Sequence, residues 1–194
     1  MRLKVPFYKG EEGDCGPLSL KMVLEYFGSS YSKKELSERM CMLDTRTVYT
    51  IGIAKAAREL GFEVEFFSEN RLDGSHRDFD YYRKFGRHEK EVELYKEAEN
   101  VGVEIRGSLS MEELLSNVNK DSIPIVLLNW NVIRKKPDYH GHVVPVTGYT
   151  KKSVYVHNTG PQDAKAFFPM SRSKFKKAWE SPGTDKDTVI IRRK

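Results

Sequence analysis

Cys15, in "GDCGPLSLKMVLEYFG", is the cysteine whose position could make its thiol reactive. Leu18, Met22 and Tyr26 recur every four residues, which predicts a helix that begins near Cys15. The free N–H groups and the dipole at a helix N-terminus stabilise a thiolate, and a following N–H such as that of Gly16 can face an oxyanion. A buried, inert cysteine starting a core helix is the other interpretation. The helix pattern alone leaves both interpretations open.

A reactive cysteine needs a base, and histidine is the residue type that most often serves. Two of the histidines lie in a charged middle segment, where we expect them on the surface. The other three lie in "YHGHVVPVTGYTKKSVYVHNTGP", which predicts two strands joined by a turn. The five histidines are His76, His88, His140, His142 and His157.

The predicted strand pair would bring His142 and Asn158 together, because antiparallel neighbours joined by a turn have adjacent outer ends. The Asn158 oxygen could then orient the His142 ring, as in a Cys–His–Asn arrangement. Two alternatives remain. His142 could be a half-buried strand residue with Asn158 a turn former. A metal could bind His140 and His142 with Cys41 or His157, although no CxxC or HxxxH spacing accompanies them, so no metal site is predicted.

The order of predicted elements indicates an α+β fold. An N-terminal part rich in helices includes "YSKKELSERM", with Ser32 and Glu35 at capping-box spacing, and "TIGIAKAARELG" before the strand "FEVEFF". The second half is rich in strands and packs on these helices as an antiparallel sheet. Residues 70–107 match neither part. They predict a charged helical insertion in a single domain that spans residues 1–194.

Composition excludes several classes of protein. The net charge is +5, but basic and acidic residues alternate, as in "HEKEVELYKEAE", so no nucleic-acid surface is predicted. The longest apolar run, "IPIVLLNW", is too short to cross a bilayer, and no secretory signal is visible. We therefore expect a cytoplasmic protein without membrane attachment, and its two cysteines are not expected to pair.

Together, these segments resemble a known family. "DCGPLSLKMVLEYFG" is similar to the cysteine motif of the C39-like peptidases, a branch of the papain-like cysteine proteases. "HGHVVPVTGYTKKSVYVHNTGP" resembles the histidine block of that family, in which Asp or Asn follows the histidine by sixteen residues. "TIGIAKAARELGFEVEFF" and "MSRSKFKKAWES" resemble further family elements in the usual order. The resemblance covers about Val5 to Ile191 and implies the papain-like α+β fold.

The resemblance also implies roles for individual residues. Cys15 would be the nucleophile, His142 the general base and then acid, and Asn158 the residue that orients the imidazole. The family usually has a glutamine six residues before the cysteine, contributing to the oxyanion hole. Lys9 stands at that position here, so Lys9 and Gly16 are the candidate oxyanion donors.

The main functional hypothesis is a cysteine peptidase or amide hydrolase that acts on a peptide or protein substrate through an acyl-enzyme, without cofactor or metal. A related possibility is acyl transfer to an acceptor other than water. The alternative is a catalytically degenerate member of the fold that binds peptides or acts as an interaction module. Lys9 favours this alternative, whereas the presence of all three of Cys15, His142 and Asn158 favours the enzyme.

Overall fold

The computed structural model describes residues 1–69 and 80–193. The helices in this part of the chain are α1 (Cys15–Tyr26), α2 (Lys33–Arg39), α3 (Thr50–Glu59), α4 (Asp80–Phe85), α5 (His88–Asn100), α6 (Met111–Ser116), α7 (Trp130–Arg134) and α8 (Arg172–Trp179). The strands are β1 (Glu63–Phe67), β2 (Glu104–Arg106), β3 (Ser122–Asn129), β4 (Gly141–Tyr149), β5 (Ser153–Asn158), β6 (Lys165–Ser171) and β7 (Thr188–Arg192). The predicted α+β class is confirmed.

The strands form one sheet in the order β2-β1-β7-β3-β4-β5-β6. Neighbouring strands run antiparallel except for β1 and β2, which are parallel. The sheet therefore includes β1 and β2 from the first half of the chain as well as the strands of the second half. All residues of β3 are buried, as expected for a central strand with both faces covered.

Helix α1 packs against β4, and this contact positions the two segments that carry Cys15 and His142. Leu20, Met22 and Leu24 of α1 are fully buried in the core. The Ser19 hydroxyl, also fully buried, donates to the Val143 carbonyl over 3.1 Å. The helix is thus held against the strand by apolar packing and by one buried polar contact.

Local sequence signals account for several of the helix ends. The Ser32 side chain accepts a hydrogen bond from the Glu35 N–H at the start of α2. Ser110 and Glu113 form a reciprocal capping box at the start of α6. Gly28 follows α1 with φ of +89°, a left-handed conformation that glycine adopts without a Cβ penalty.

Residues 70–107, predicted as a charged helical insertion, are not helical throughout in their described part. Residues 70–79, with His76 among them, lie outside the described residues. The remainder forms α4, α5 and the edge strand β2. The chain leaves helical geometry between α4 and α5, where the Tyr49 hydroxyl donates to the Arg87 carbonyl and accepts from the Arg87 N–H. The apolar face of α5 packs on α3. The many charged residues in the sequence of α5 do not predict this packing.

We expect Ser19→Ala to lower the free energy of unfolding by about 1–3 kcal/mol, because the Val143 carbonyl loses its buried side-chain donor. Urea denaturation measures the change. Ser37→Ala is the matched control, since Ser37 is only half-buried and donates to its own helix, at the Lys33 carbonyl. Equal losses in the two variants would contradict a special role for the contact between α1 and β4.

Candidate active site

A cavity of about 440 Å³ opens between the start of α1 and the start of β4. Cys15 and His142 both line it. Loops before α1, before α3 and after β5 supply other parts of its wall. The volume lies within the range of typical small-ligand pockets.

Cys15 is the first residue of α1, and the residue as a whole is half-buried. Asp14 precedes it at the N-cap position, but its side chain makes no capping hydrogen bond to the helix. The buried Asp14 carboxylate instead accepts from Lys33 over 2.8 Å and from Arg46 over 2.6 Å. The first-turn N–H groups of α1 are therefore not capped by Asp14, and groups of this kind bind negative charge.

The ring of His142 is fixed by Asn158, which ends β5. His142 Nε2 lies 2.9 Å from Asn158 Oδ1, and both residues are buried. Because an amide oxygen only accepts, Nε2 carries the proton and donates it. His142 Nδ1 is then unprotonated and can accept a proton. The Trp130 ring packs edge-on against the imidazole, with centroids 4.8 Å apart.

The orientation of the Asn158 amide follows from its other partners. Asn158 Nδ2 donates to the Asp163 carbonyl over 2.6 Å and to the Asp163 carboxylate over 3.0 Å. The Gly160 N–H donates to Asn158 Oδ1 over 3.1 Å. Asp163 is itself held by Arg134 over 3.0 Å and by the Trp130 indole over 3.3 Å. The sequence pattern did not reveal Asp163, which lies in a loop without periodicity.

Burial controls the protonation of both candidate catalytic groups. It lowers the pKa of His142 to about 4, against the opposing effect of the Asn158 hydrogen bond. It also raises the pKa of Cys15, although hydrogen bonds from the backbone of Val143, Gly16 and Cys15 itself favour the thiolate. This direction is opposite to the one that the helix N-terminus alone predicts. A neutral thiol and a neutral imidazole are the resting forms near neutral pH.

The two candidate oxyanion donors occupy different surroundings. Gly16 is buried in the first turn of α1, where an added Cβ would lie 3.2 Å from Val48. Lys9 is exposed and does not belong to the described lining of the cavity. The neighbouring Tyr8 hydroxyl donates to Glu25 over 2.6 Å.

The other candidate histidines have separate environments. His157 is fully buried, with Nε2 3.0 Å from the Val5 carbonyl and Nδ1 accepting from the Phe167 N–H. His140 lines the cavity, and burial lowers its pKa.

In residues 1–69 and 80–193, no three His, Cys, Asp or Glu side chains form a group that could hold a metal. No helix in those ranges is long and apolar enough to cross a membrane.

The architecture is that of the papain-like cysteine protease fold, as comparison with solved structures shows. The chain itself belongs to the guanylylate cyclase family, whose model matches residues 6–191. The predicted C39-like resemblance is thus supported by the fold, while the family model that matches is a different one.

Three similar structures carry descriptions as peptidases or peptidase domains. The peptidase domain of Streptococcus ComA, a bi-functional ABC transporter of a quorum-sensing pathway, matches with a TM-score of 0.57 and 19% identity, over 98% of each chain. A protein described as a C39-like peptidase from Bacillus anthracis has a TM-score of 0.63 and 18% identity, over 98% of this chain and 96% of that one. A double-glycine-motif protease of an AMS/PCAT transporter has a TM-score of 0.60 and 17% identity, over 100% and 94%.

The raised thiol pKa predicts slow alkylation of Cys15. In a Cys41→Ser background, iodoacetamide should modify Cys15 more slowly than glutathione at neutral pH, with a rate that continues to rise above about pH 8.5, the range of a free thiol. Mass spectrometry of the intact protein follows the reaction. Faster labelling than glutathione near about pH 6 would contradict this direction and would indicate a thiolate stabilised at rest.

The lowered pKa of His142 predicts a loss of stability in weak acid. Protonation of the imidazole favours the unfolded chain, so stability is complete above about pH 6.5 and falls as the pH drops toward about 4. Relative to His142→Gln, the wild type should lose on the order of 3 kcal/mol of unfolding free energy across this range. Urea denaturation at several pH values measures this difference, in which the contributions of other groups cancel. A constant difference would contradict the lowered pKa.

Proposed function

We propose that this protein is a thiol-dependent amide hydrolase that acts on a peptide-like substrate. Cys15 would be the nucleophile, His142 the proton carrier and Asn158 the residue that orients the imidazole. The observation that carries the proposal is the bond from His142 Nε2 to Asn158 Oδ1, in a cavity that Cys15 also lines. The likeness to peptidase domains supports the same class of reaction.

The proposed reaction begins with a neutral thiol. As the sulfur attacks the amide carbon, its proton passes to His142 Nδ1, so that thiolate and imidazolium form only along the reaction path. The imidazolium then protonates the leaving amine, and a thioester remains. A water molecule that gives its proton to His142 hydrolyses the thioester, which releases a carboxylic acid and restores the thiol. Asn158 keeps the ring in the required tautomer throughout.

The negative oxygen of the intermediate needs donors near the sulfur. The uncapped N–H groups of Cys15 and Gly16 are the candidates that the geometry supports best, because the Asp14 side chain is occupied by Lys33 and Arg46. Lys9 is the other candidate from the sequence, and its amine would have to turn toward the cavity to contribute. Removal of one oxyanion donor costs about 10²–10³ in rate, so Lys9→Ala separates the two arrangements.

Hydrolysis of a peptide library provides the main test. We expect Cys15→Ala to abolish cleavage and His142→Gln to lower kcat by about 10²–10⁴-fold. Asn158→Ala should lower kcat with little change in KM, because it acts through the imidazole. Cys41→Ser is the matched control, since it removes the other free thiol and should leave cleavage unchanged.

The description of the family makes a nucleotide assay a necessary comparison. The wild type and Cys15→Ala are incubated with GTP, and cyclic GMP is measured alongside peptide cleavage. Cyclic GMP formed equally by both proteins, together with no Cys15-dependent cleavage, would overturn the proposed hydrolase. Cys15-dependent cleavage without cyclic GMP would support it.

A further inference from the structure

The same cavity continues from Cys15 and His142 to a second group of polar side chains around Asp187, which directly precedes β7. Asp187 Oδ2 accepts a hydrogen bond from the Thr50 hydroxyl. Asp187 Oδ1 is buried, and no residue in the described part of the chain forms a hydrogen bond with it. A buried carboxylate oxygen without a donor is costly, and such an atom in a cavity wall indicates a missing ligand or a bound proton.

The surrounding walls favour a positive ligand. Aromatic rings of Tyr49, Tyr82 and Phe85 line this cavity, and Tyr82 stacks on Tyr139 with ring centroids 6.0 Å apart. Glu91 from α5 also lines the cavity, close enough to Asp187 to raise its pKa. The faces of aromatic rings attract cations, and the carboxylates of Asp187 and Glu91 supply the counter-charge.

The cationic residues of the cavity do not neutralise Asp187. Among the described residues of the lining, Arg46 and Arg134 are the two arginines, and there is no lysine. Arg46 binds Asp14 over 2.6 Å, and Arg134 binds Asp163 over 3.0 Å. Both guanidinium groups thus already have acidic partners, and neither of those partners is Asp187.

We propose that the Asp187 part of the cavity is a subsite for a basic side chain of the substrate, lysine or arginine. The ammonium or guanidinium group would pair with the Asp187 carboxylate and lie against the tyrosine rings. The inference rests on the proposed function, because it assigns a preference to the substrate of the Cys15 site.

The charge of Asp187 adds a pH dependence to this recognition. Burial raises the pKa of Asp187 to about 7, against the hydrogen bond from the Thr50 hydroxyl, which favours the charged form. Asp185 of the same loop and Glu91 also raise the pKa of Asp187. Among the described residues, Tyr82 of α4 and Tyr95 of α5 are further titratable groups that interact with this carboxyl. Because the cation binds the ionised carboxylate, affinity should rise as the pH increases through about 7.

Binding of small amides tests the subsite without any turnover. Calorimetry measures the affinity of Cys15→Ala for N-acetyl-arginine amide and for N-acetyl-citrulline amide, which has nearly the same shape but no charge. We expect arginine amide to bind at least about tenfold more tightly at about pH 8, and this advantage to shrink below about pH 6. Equal affinities at both pH values would overturn the proposal.

Two variants locate the effect. Asp187→Asn should remove the preference for arginine amide and its pH dependence, while affinity for citrulline amide changes little. Glu12→Gln is the matched control, because Glu12 is another carboxylate of the lining, on the loop before α1. If both variants lose affinity for arginine amide equally, the preference reflects only the general charge of the cavity, and the proposed subsite is overturned. A thermal melt of each variant verifies folding, and the comparison of arginine with citrulline holds even if Asp187→Asn does not fold.

The two proposals fail in different ways. Asp187-dependent binding of arginine amide without Cys15-dependent cleavage of any peptide would support the subsite and contradict the hydrolase. Cys15-dependent cleavage with no preference for lysine or arginine, and no effect of Asp187→Asn, would support the hydrolase and overturn the subsite.

Discussion

The direction in which the Asn158 amide faces determines what the imidazole of His142 can do. If the amide were reversed, its NH2 group would face His142 Nε2, and its oxygen would face the carboxylate and carbonyl oxygens of Asp163. That arrangement places acceptor against acceptor, so Asp163 excludes it. Arg134 and Trp130 in turn hold Asp163. The tautomer of a residue on β4 is therefore set by charges on the loop after β5 and on α7.

The parts of the fold that sequence could predict are those with local causes. The caps at Ser32 and Ser110 follow from short-range hydrogen bonding, and the stop at Gly28 follows from backbone freedom. The pairing of β4 with β5 follows from alternation and a short connection. The proximity of His142 and Asn158 could be predicted from the sequence for the same reason, because it depends only on the register between two adjacent strands.

The remaining features depend on contacts that are distant in sequence. The break between α4 and α5 is held by Tyr49, far back in the chain, and no local pattern encodes that bond. The contact of Asp163 with Asn158 and the place of Asp187 in the cavity wall depend on loops that only the folded chain brings into position. The protonation of Cys15 was missed for another reason. The effect of the helix N-terminus on the thiol pKa can be inferred from the local sequence. The effect of burial depends on all the residues packed around the thiol, and it is the larger of the two.

The fold and the family match answer different questions. At 17–19% identity, the likeness to peptidase domains establishes a shared architecture, and the residues within it must be argued individually. Membership of the guanylylate cyclase family adds a description that the geometry alone would not suggest. The hydrogen-bonded pair of His142 and Asn158, on β4 and β5, is the observation on which the proposed chemistry rests.

The burial of the Cys15 sulfur has a consequence for the durability of the protein. Peroxides react with the thiolate form of cysteine. Because burial keeps the Cys15 thiol protonated, its oxidation in the resting protein should be slow. A sulfur held permanently as a thiolate would be the more reactive nucleophile, but it would also be oxidised faster to sulfenic and sulfinic acids. A protonated resting thiol is therefore less reactive and more resistant to oxidation.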